Sequence, residues 1–311
     1  MIVLTGPPFE WEVATDTAVT IGVFDGVHLG HRRVIADLMS LAASANLSPT
    51  IVTFDPHPLS ILAPEKAPLM LTSVDQRIDQ FRQLAAEIVG VLDFPDIRHL
   101  SAEKFCEAVL SRALRAKHVV VGADFRFGRD RVGDANVLIR EGKLLGIDVS
   151  VVDLLASPEG VVSSTRIRQL IGEGLVEEAA VLLGRPYELA GEVIEGAKRG
   201  RMLGFPTANL GIPPDRQLPG RGVYAGTATI GGPKASEQVF AAAINVGTRP
   251  TFDGRGTTIE AHLLDYSGDL YGRFLTLAFR ARLREEVRFD GPEDLVRQIQ
   301  RDMERVREVL I

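Results

Sequence analysis

The apolar pattern of this chain changes character once, near Gly184-Arg185-Pro186, and that change limits the folds it can adopt. Before it, short apolar runs at 19–23, 50–54, 88–92, 117–121 and 147–152 alternate with helix-period segments near 31–45, 75–86, 101–114 and 136–142. Strand and helix alternating at this spacing predict a parallel α/β sheet. Two more helical segments follow, near 164–172 and 175–183. Beyond residue 184, runs at 187–195, 222–230, 238–246, 258–265 and 273–283 alternate or are β-branched. Gly/Pro-rich turns such as Gly231-Gly232-Pro233 and Asp253-Gly254-Arg255-Gly256 separate them. That pattern predicts an antiparallel sheet or barrel. A last helix carries Leu295, Ile299, Met303, Val306 and Leu310 at steps of 4, 4, 3 and 4, one apolar stripe suited to packing on the barrel. The expected domains are 1–184 and 185–311.

Length and composition bound the rest. A chain of 311 residues matches about two domains, and 45% hydrophobic with 24% charged residues is ordinary for a globular chain. The single Cys106 permits no internal disulfide, which fits a reducing cytoplasm. No apolar stretch approaches the roughly 18–20 residues of a membrane span. The N-terminus lacks the basic and apolar regions of a signal peptide. A net charge of −6 without a long basic block argues against nucleic acid as the main ligand. Small-molecule anions must therefore be held by local groups. A monomer or weak homo-oligomer is expected.

Four segments of the first half fall at strand ends or helix starts, the edge where open α/β folds bind ligands. The first is Gly22-Val-Phe-Asp-Gly-Val-His-Leu-Gly-His31. A strand running into a Gly-rich turn at a helix N-terminus suits phosphate, and His28 and His31 can donate hydrogen bonds to it. Gly22, Phe24, Asp25 and Gly30 shape that turn. A zinc pair is the weaker reading, since no third Cys or His lies nearby. The second is Thr53-Phe-Asp-Pro-His-Pro58, where Pro56 and Pro58 fix the backbone around His57. In Gly122-Ala-Asp-Phe-Arg-Phe-Gly128, Phe125 and Phe127 can line an aromatic-ring pocket and Asp124 can meet a polar ligand, although one phenylalanine is expected in the core. Ser163-Ser-Thr-Arg-Ile-Arg168 offers an N-cap, and its Ser164, Thr165, Arg166 and Arg168 can also face a phosphate. Neither a P-loop nor a G-x-G-x-x-G appears.

In the second half, Thr207 and Asn209 of Gly204-Phe-Pro-Thr-Ala-Asn209 alternate and so share a face. Two neutral oxygen ligands beside phosphate oxygens suit Mg²⁺. The upstream Gly196-Ala-Lys-Arg-Gly-Arg201 supplies basic backbone. In Thr258-Ile-Glu-Ala-His-Leu-Leu-Asp265, Glu260 and His262 share one face, and Ile259, Ala261 and Leu263 the other. A carboxylate there can take a proton from an attacking alcohol.

The H-x-G-H loop with the later Ser-Ser-Thr-x-x-Arg segment resembles the nucleotidyltransferase superfamily. With Phe54-Asp-Pro-His-Pro58 and Gly122-Ala-Asp-Phe-Arg-Phe-Gly128, it looks like the FMN adenylyltransferase domain of bacterial bifunctional riboflavin kinase/FAD synthetases. Gly204-Phe-Pro-Thr-Ala-Asn209, Gly222-Val-Tyr-Ala225, Asn245-Val-Gly-Thr-Arg-Pro-Thr251 and Glu260 resemble the riboflavin kinase module. The resemblance implies a Rossmann-like domain followed by a compact β-barrel with a C-terminal helix. It implies riboflavin, FMN and ATP as substrates, FAD as product and Mg²⁺ as cofactor. His28, His31, Arg168 and Glu260 would carry catalysis, Thr207 and Asn209 would help bind Mg²⁺-ATP, and Arg249 would join the binding residues. One departure is Glu195, where many relatives carry His. An alternative acceptor such as a phosphopantetheine, or a flavin sensor without turnover, leaves part of this pattern unexplained.

Overall fold

The protein is represented by a computed structural model that describes residues 1–157, 160–196, 204–231, 238–251, 254–289 and 291–310. It divides into two compact units, Met1–Ser164 and Thr165–Ile311.

In the first unit β1 (Ile2–Leu4), β2 (Thr17–Ile21), α1 (Leu29–Ala45), β3 (Ser48–Phe54), α2 (Pro58–Leu62), α3 (Val74–Gln83) and β4 (Ile88–Leu92) follow in order. Next come α4 (Phe94–Ile97), α5 (Ala102–Phe105), β5 (Ala116–Gly122), α6 (Ala135–Leu145), β6 (Asp148–Val152) and a hairpin of β7 (Ala156–Ser157) and β8 (Gly160–Val161). A π-helical stretch, Cys106–Ala113, continues α5, so the segment read as one helix adopts two geometries. The six longer-range strands form a parallel sheet in the order β1-β4-β3-β2-β5-β6. From β2 the chain first builds outward through β3 and β4, then returns to place β5 on β2's other edge. The crevice for a ligand in such a sheet opens at that reversal, beyond the carboxyl ends of β2 and β5. All five residues of β2 are buried. One face packs on a core containing Trp11, Leu110 and Leu138, the other on Ile35 and Leu38 of α1 and Phe81 of α3. The edge strand β1 has no counterpart in the sequence reading, because three residues are too few to show a period.

In the second unit α7 (Ser164–Glu173, all but its first residue) and α8 (Val176–Leu183) precede β9 (Tyr187–Ile194), β10 (Ala208–Gly211), β11 (Gly222–Ile230), β12 (Gln238–Thr251), β13 (Gly254–Leu263), β14 (Phe274–Arg284) and α9 (Pro292–Leu310). The strands close an antiparallel barrel in the order β10-β13-β12-β11-β14-β9. The division between units falls at 164/165, whereas the sequence places it at 184. The reason is packing: α8 lies on β14 and β9, and Arg282 N–H donates to Glu177 Oε1 at 3.1 Å.

The apolar stripe of α9 sits on the outside of the barrel, with Met303, Val306 and Leu310 against Val223, Ala225, Leu264 and Leu283. One charge is buried with it. Asp302, 3% exposed, accepts from Arg284 Nε at 3.0 Å, Arg284 Nη2 at 2.7 Å and Gln298 Nε2 at 2.9 Å. Removing one partner of a buried ion pair strands the other without solvent or counter-charge. Asp302→Ala is therefore expected to destabilise the barrel unit by about 3–5 kcal/mol. All four tyrosines lie in that unit and the one tryptophan, Trp11, in the first. In urea titrations the tyrosine transition should shift to lower denaturant and the Trp11 transition should stay in place.

Candidate active sites in the two units

The turn after β2 follows a backbone path that few residues accept. Phe24 (φ 52°), Gly26 (φ 83°) and Val27 (φ 41°) all have positive φ. For a β-branched valine that conformation is strained and persists only where surroundings enforce it. Two buried groups do so. Asp25, 2% exposed, accepts from Leu71 N–H at 2.9 Å, Thr72 N–H at 3.0 Å and Thr72 Oγ1 at 3.1 Å. Thr72 Oγ1 in turn accepts from Gly26 N–H at 3.0 Å. Arg77 of α3, 1% exposed, donates from Nη1 to Val23 O at 2.7 Å, Thr53 Oγ1 at 2.7 Å and Phe54 O at 3.0 Å. Thr53 Oγ1 donates to Val23 O at 2.9 Å. One guanidinium thus ties the turn after β2 to the exit of β3.

His28, 4% exposed, is the N-cap of α1, and its Nδ1 accepts from His31 N–H at 3.3 Å. An accepting Nδ1 puts the proton of neutral His28 on Nε2, which leaves that edge as the donor. The two imidazoles stack at 3.6 Å between centroids and 18° between planes. Phe24 meets His31 edge-on at 5.2 Å. His31 Nδ1 is buried without a hydrogen-bond partner. Burial, then the neighbouring His28, then the Arg77 charge hold His31 well below the usual imidazole range. Both rings of a stacked pair cannot carry charge cheaply, so His31 is a neutral imidazole near pH 7. At Gly30 a Cβ would lie 3.1 Å from the His28 ring, so any other residue there would press on the stack.

The other predicted segments differ in how they reach this turn. Ser164 Oγ donates to Asp25 O at 2.9 Å. Thr165, Arg166 and Arg168 continue α7 and belong to the second compact unit. Asp55-Pro56 is a cis peptide bond, and Arg77 Nη2 lies 3.9 Å from Asp55. His57 caps α2, its Nδ1 accepting from Leu59 N–H at 3.0 Å, with Pro58 as the first helical residue. At the exit of β5, Phe127 is buried against Phe105 at 5.7 Å and stacks on half-buried Phe125 at 5.4 Å. Asp124 is exposed, and Gly22 packs against the ring of Phe24.

In the barrel unit the inward residues of β13 are Ile259, Ala261 and Leu263, and Glu260 and His262 face outward. Register places Asn209 of β10 and Asn245 of β12 on either side of Glu260. Thr207 Oγ1 donates to Glu260 Oε2 at 3.2 Å. Asn209 lies so close to the backbone at Gly196 that a Cβ there would overlap its side-chain amide. Gly204 has φ 86° and begins this approach. Thr207, Asn209 and Glu260 are therefore one cluster of oxygen donors. Arg249 is in β12, opposite Gly256, but its side chain lies outside the described residues, as does 197–201 of the basic segment.

The sequence reading missed Arg77, Thr72 and the Asn245 side chain. A signal for Arg77 exists: Val74, Arg77, Ile78 and Phe81 fall at i, i+3, i+4 and i+7, which puts a cation on the apolar face of a helix. The Asp25 partners are 46 and 47 residues away and leave no local pattern.

Comparison with known proteins covers both units. Residues 11–166 match the FAD synthetase family and residues 183–310 the riboflavin kinase family. The bifunctional riboflavin kinase/FMN adenylyltransferase of Escherichia coli K12 is 37% identical over 293 residues, 93% of this chain and 91% of that one. The Bacillus subtilis protein of the same name is 34% identical over 298 residues, 94% of this chain and 92% of that one. A solved structure from Streptococcus pneumoniae, described as a macrolide-efflux protein, superposes with a TM-score of 0.89 at 31% identity over 99% of both chains. No described helix of this chain is long and apolar enough to cross a membrane. With both modules matched in order along nearly its whole length, the chain belongs to the family of bifunctional riboflavin kinases/FMN adenylyltransferases.

Proposed function

We propose that in this bifunctional riboflavin kinase/FMN adenylyltransferase the barrel unit phosphorylates riboflavin and the sheet unit adenylates the resulting FMN. The observation that carries the kinase assignment is the Thr207–Glu260 hydrogen bond beside Asn209. Thr207 Oγ1 and Asn209 Oδ1 are hard oxygen donors of the kind Mg²⁺ takes alongside phosphate oxygens, where the ion would neutralise charge on the transferring phosphoryl group. Thr207 gives its proton to Glu260, so its lone pairs stay available. Glu260 accepts the proton of the ribityl 5′-hydroxyl as that oxygen bonds to the γ-phosphorus of ATP and ADP leaves. Gly204 and Arg249 complete the nucleotide side of this site.

In the sheet unit an FMN phosphate oxygen attacks the α-phosphorus of a second ATP and pyrophosphate leaves. FMN is already an anion, so the step needs no strong base. His28 and His31 donate hydrogen bonds to the phosphates as charge shifts to the leaving group. Arg168, Arg166, Thr165 and Ser164 support them, and Gly22, Phe24 and Gly30 form the phosphate turn. Asp25 acts by holding that turn rather than by touching ligand. Pro56, His57 and Pro58 border the site, and Asp124, Phe125 and Phe127 form the wall for an aromatic ring. Residues 164–184 are assigned to this first chemistry because α7 carries the Ser-Thr-x-x-Arg segment, although they pack with the barrel. The protein works in the cytoplasm, on small molecules and not nucleic acid, as a monomer or weak homo-oligomer. Its acidic charge and single cysteine support this setting.

Incubation with riboflavin, ATP and Mg²⁺, followed by chromatography, should yield FMN, FAD and pyrophosphate. FMN without FAD would point to another acceptor for the sheet unit, and bound but unconverted riboflavin to a sensor. His28→Asn retains a good helix cap but removes the imidazole. It should slow FMN adenylation by about 10²–10³-fold with riboflavin phosphorylation unchanged; undiminished FAD synthesis from supplied FMN would refute the histidine's role. Glu260→Gln should lower the kinase kcat by about 10²–10⁴-fold and spare adenylation of supplied FMN. A third expectation concerns pH. Folded His31 binds its proton well below its ordinary value of 6.5. The unfolded chain therefore takes up more protons as pH falls through that value, and the folded unit loses stability. The Trp11-reported unfolding midpoint should fall between about pH 7.5 and 5.5, and His31→Asn should flatten that slope.

A further inference from the structure

We infer that His262 is a positioning residue of the kinase: it pins the carbonyl of Pro206 and so sets the Thr207 hydroxyl against Glu260. This rests on the assignment of the kinase to the Thr207–Glu260 cluster. The β10–β13 ladder runs through Asn209↔Glu260 and Ala208↔Ala261. Residues 204–207 precede β10, so the segment bearing Thr207 lies outside that strand. Two bonds from the outward face of β13 reach it. Thr207 Oγ1 donates to Glu260 Oε2 at 3.2 Å, and His262 Nδ1 lies 2.8 Å from Pro206 O.

A carbonyl oxygen only accepts, so Nδ1 of His262 must carry the proton. Pro206 has a ring-fixed φ, and its carbonyl lies in the same plane as the Thr207 nitrogen. Holding that oxygen therefore fixes the peptide plane on which Thr207 is mounted. The Phe205 ring, edge-on to the imidazole at 5.8 Å and 78°, steadies the other side of the loop. Alternation along β13 puts His262 two residues beyond Glu260 on the same face. The contacts form a closed circuit: Glu260, Thr207, Pro206, His262 and back along the strand. The circuit sets where Thr207 stands before any nucleotide arrives.

The test uses the full chain, with riboflavin phosphorylation measured against Mg²⁺-ATP and adenylation of supplied FMN as the internal control. His262→Ala should raise the half-saturating Mg²⁺-ATP concentration about five- to tenfold, the effect of losing one hydrogen bond. The kinase kcat should change by less than about threefold, and FMN adenylation should hold. His262→Asn, whose Nδ2–H occupies the place of the imidazole Nδ1–H, should restore Mg²⁺-ATP dependence to within about twofold. In a Thr207→Ala background His262→Ala should add little, because the two act as one unit. Unaltered Mg²⁺-ATP dependence in His262→Ala, an Asn variant as defective as Ala, or full additivity with Thr207→Ala would each overturn the inference. So would a fall in kcat alone, the behaviour expected of Glu260→Gln, since that would put the ring at the reacting atoms. A wild-type chain that forms no FMN would instead remove the kinase assignment on which the inference stands.

Discussion

The buried guanidinium of Arg77 is the interaction on which the sheet unit's site depends. It joins Val23 O, Thr53 Oγ1 and Phe54 O, and so locks two strand exits that are separate in sequence. Without that bracket the positive φ of Val27, next to the N-cap His28, would rest on the Asp25 contacts alone. The same cation also helps keep His31 neutral. Asp25 performs the complementary task with negative charge, collecting donors from Leu71 and Thr72. Both ions are buried, and their hydrogen bonds go to backbone and hydroxyl groups of the turns they hold.

The barrel unit solves the same problem with fewer charges. Its candidate site residues come from adjacent strands, so sheet register sets Asn209, Glu260 and Asn245 side by side. Register is strongly specified here because the alternate residues, Ile259, Ala261 and Leu263, are buried inside the barrel. A slip of one position would turn Glu260 inward and expose the core. Stability of the apolar interior and placement of the polar cluster are therefore one constraint.

What was legible in the sequence follows the length scale of the interaction. The parallel sheet, the barrel and α9 were readable because apolar period is a local signal repeated over many residues. That Glu260 and His262 share a face was readable for the same reason, whereas Thr207 precedes β10 and stands outside the alternation that joins it to Asn209 in sequence. The bond between Thr207 and Glu260 was not readable, since it spans 53 residues. Arg77 was visible only as a charge on an apolar helix face, with its partners 23, 24 and 54 residues away. The compact units divide at 164/165 and the sequence pattern at 184/185, because α7 and α8 have helical periods that continue the first half's pattern. Their apolar faces give no sign of which sheet they cover, and α8 covers the barrel.

For the proposed adenylyl transfer, a stacked histidine pair in which His31 is held neutral is better suited than a doubly charged one. The chain carries a net charge of −6, so it has no general field for holding ATP. A pair of fixed cations at His28 and His31 would bind the ground-state triphosphate strongly, and uniform binding of that kind lowers KM without raising kcat. Neutral N–H donors interact weakly with the resting phosphates and more strongly as charge accumulates on the leaving pyrophosphate. Stacking at 3.6 Å, burial and the nearby Arg77 all push His31 toward that neutral state. The His28 cap holds the rings in place without adding charge, and the absence of a Cβ at Gly30 leaves room for them. On the proposed assignment, the strained turn serves to hold His31 as an uncharged donor beside His28 in a fixed geometry.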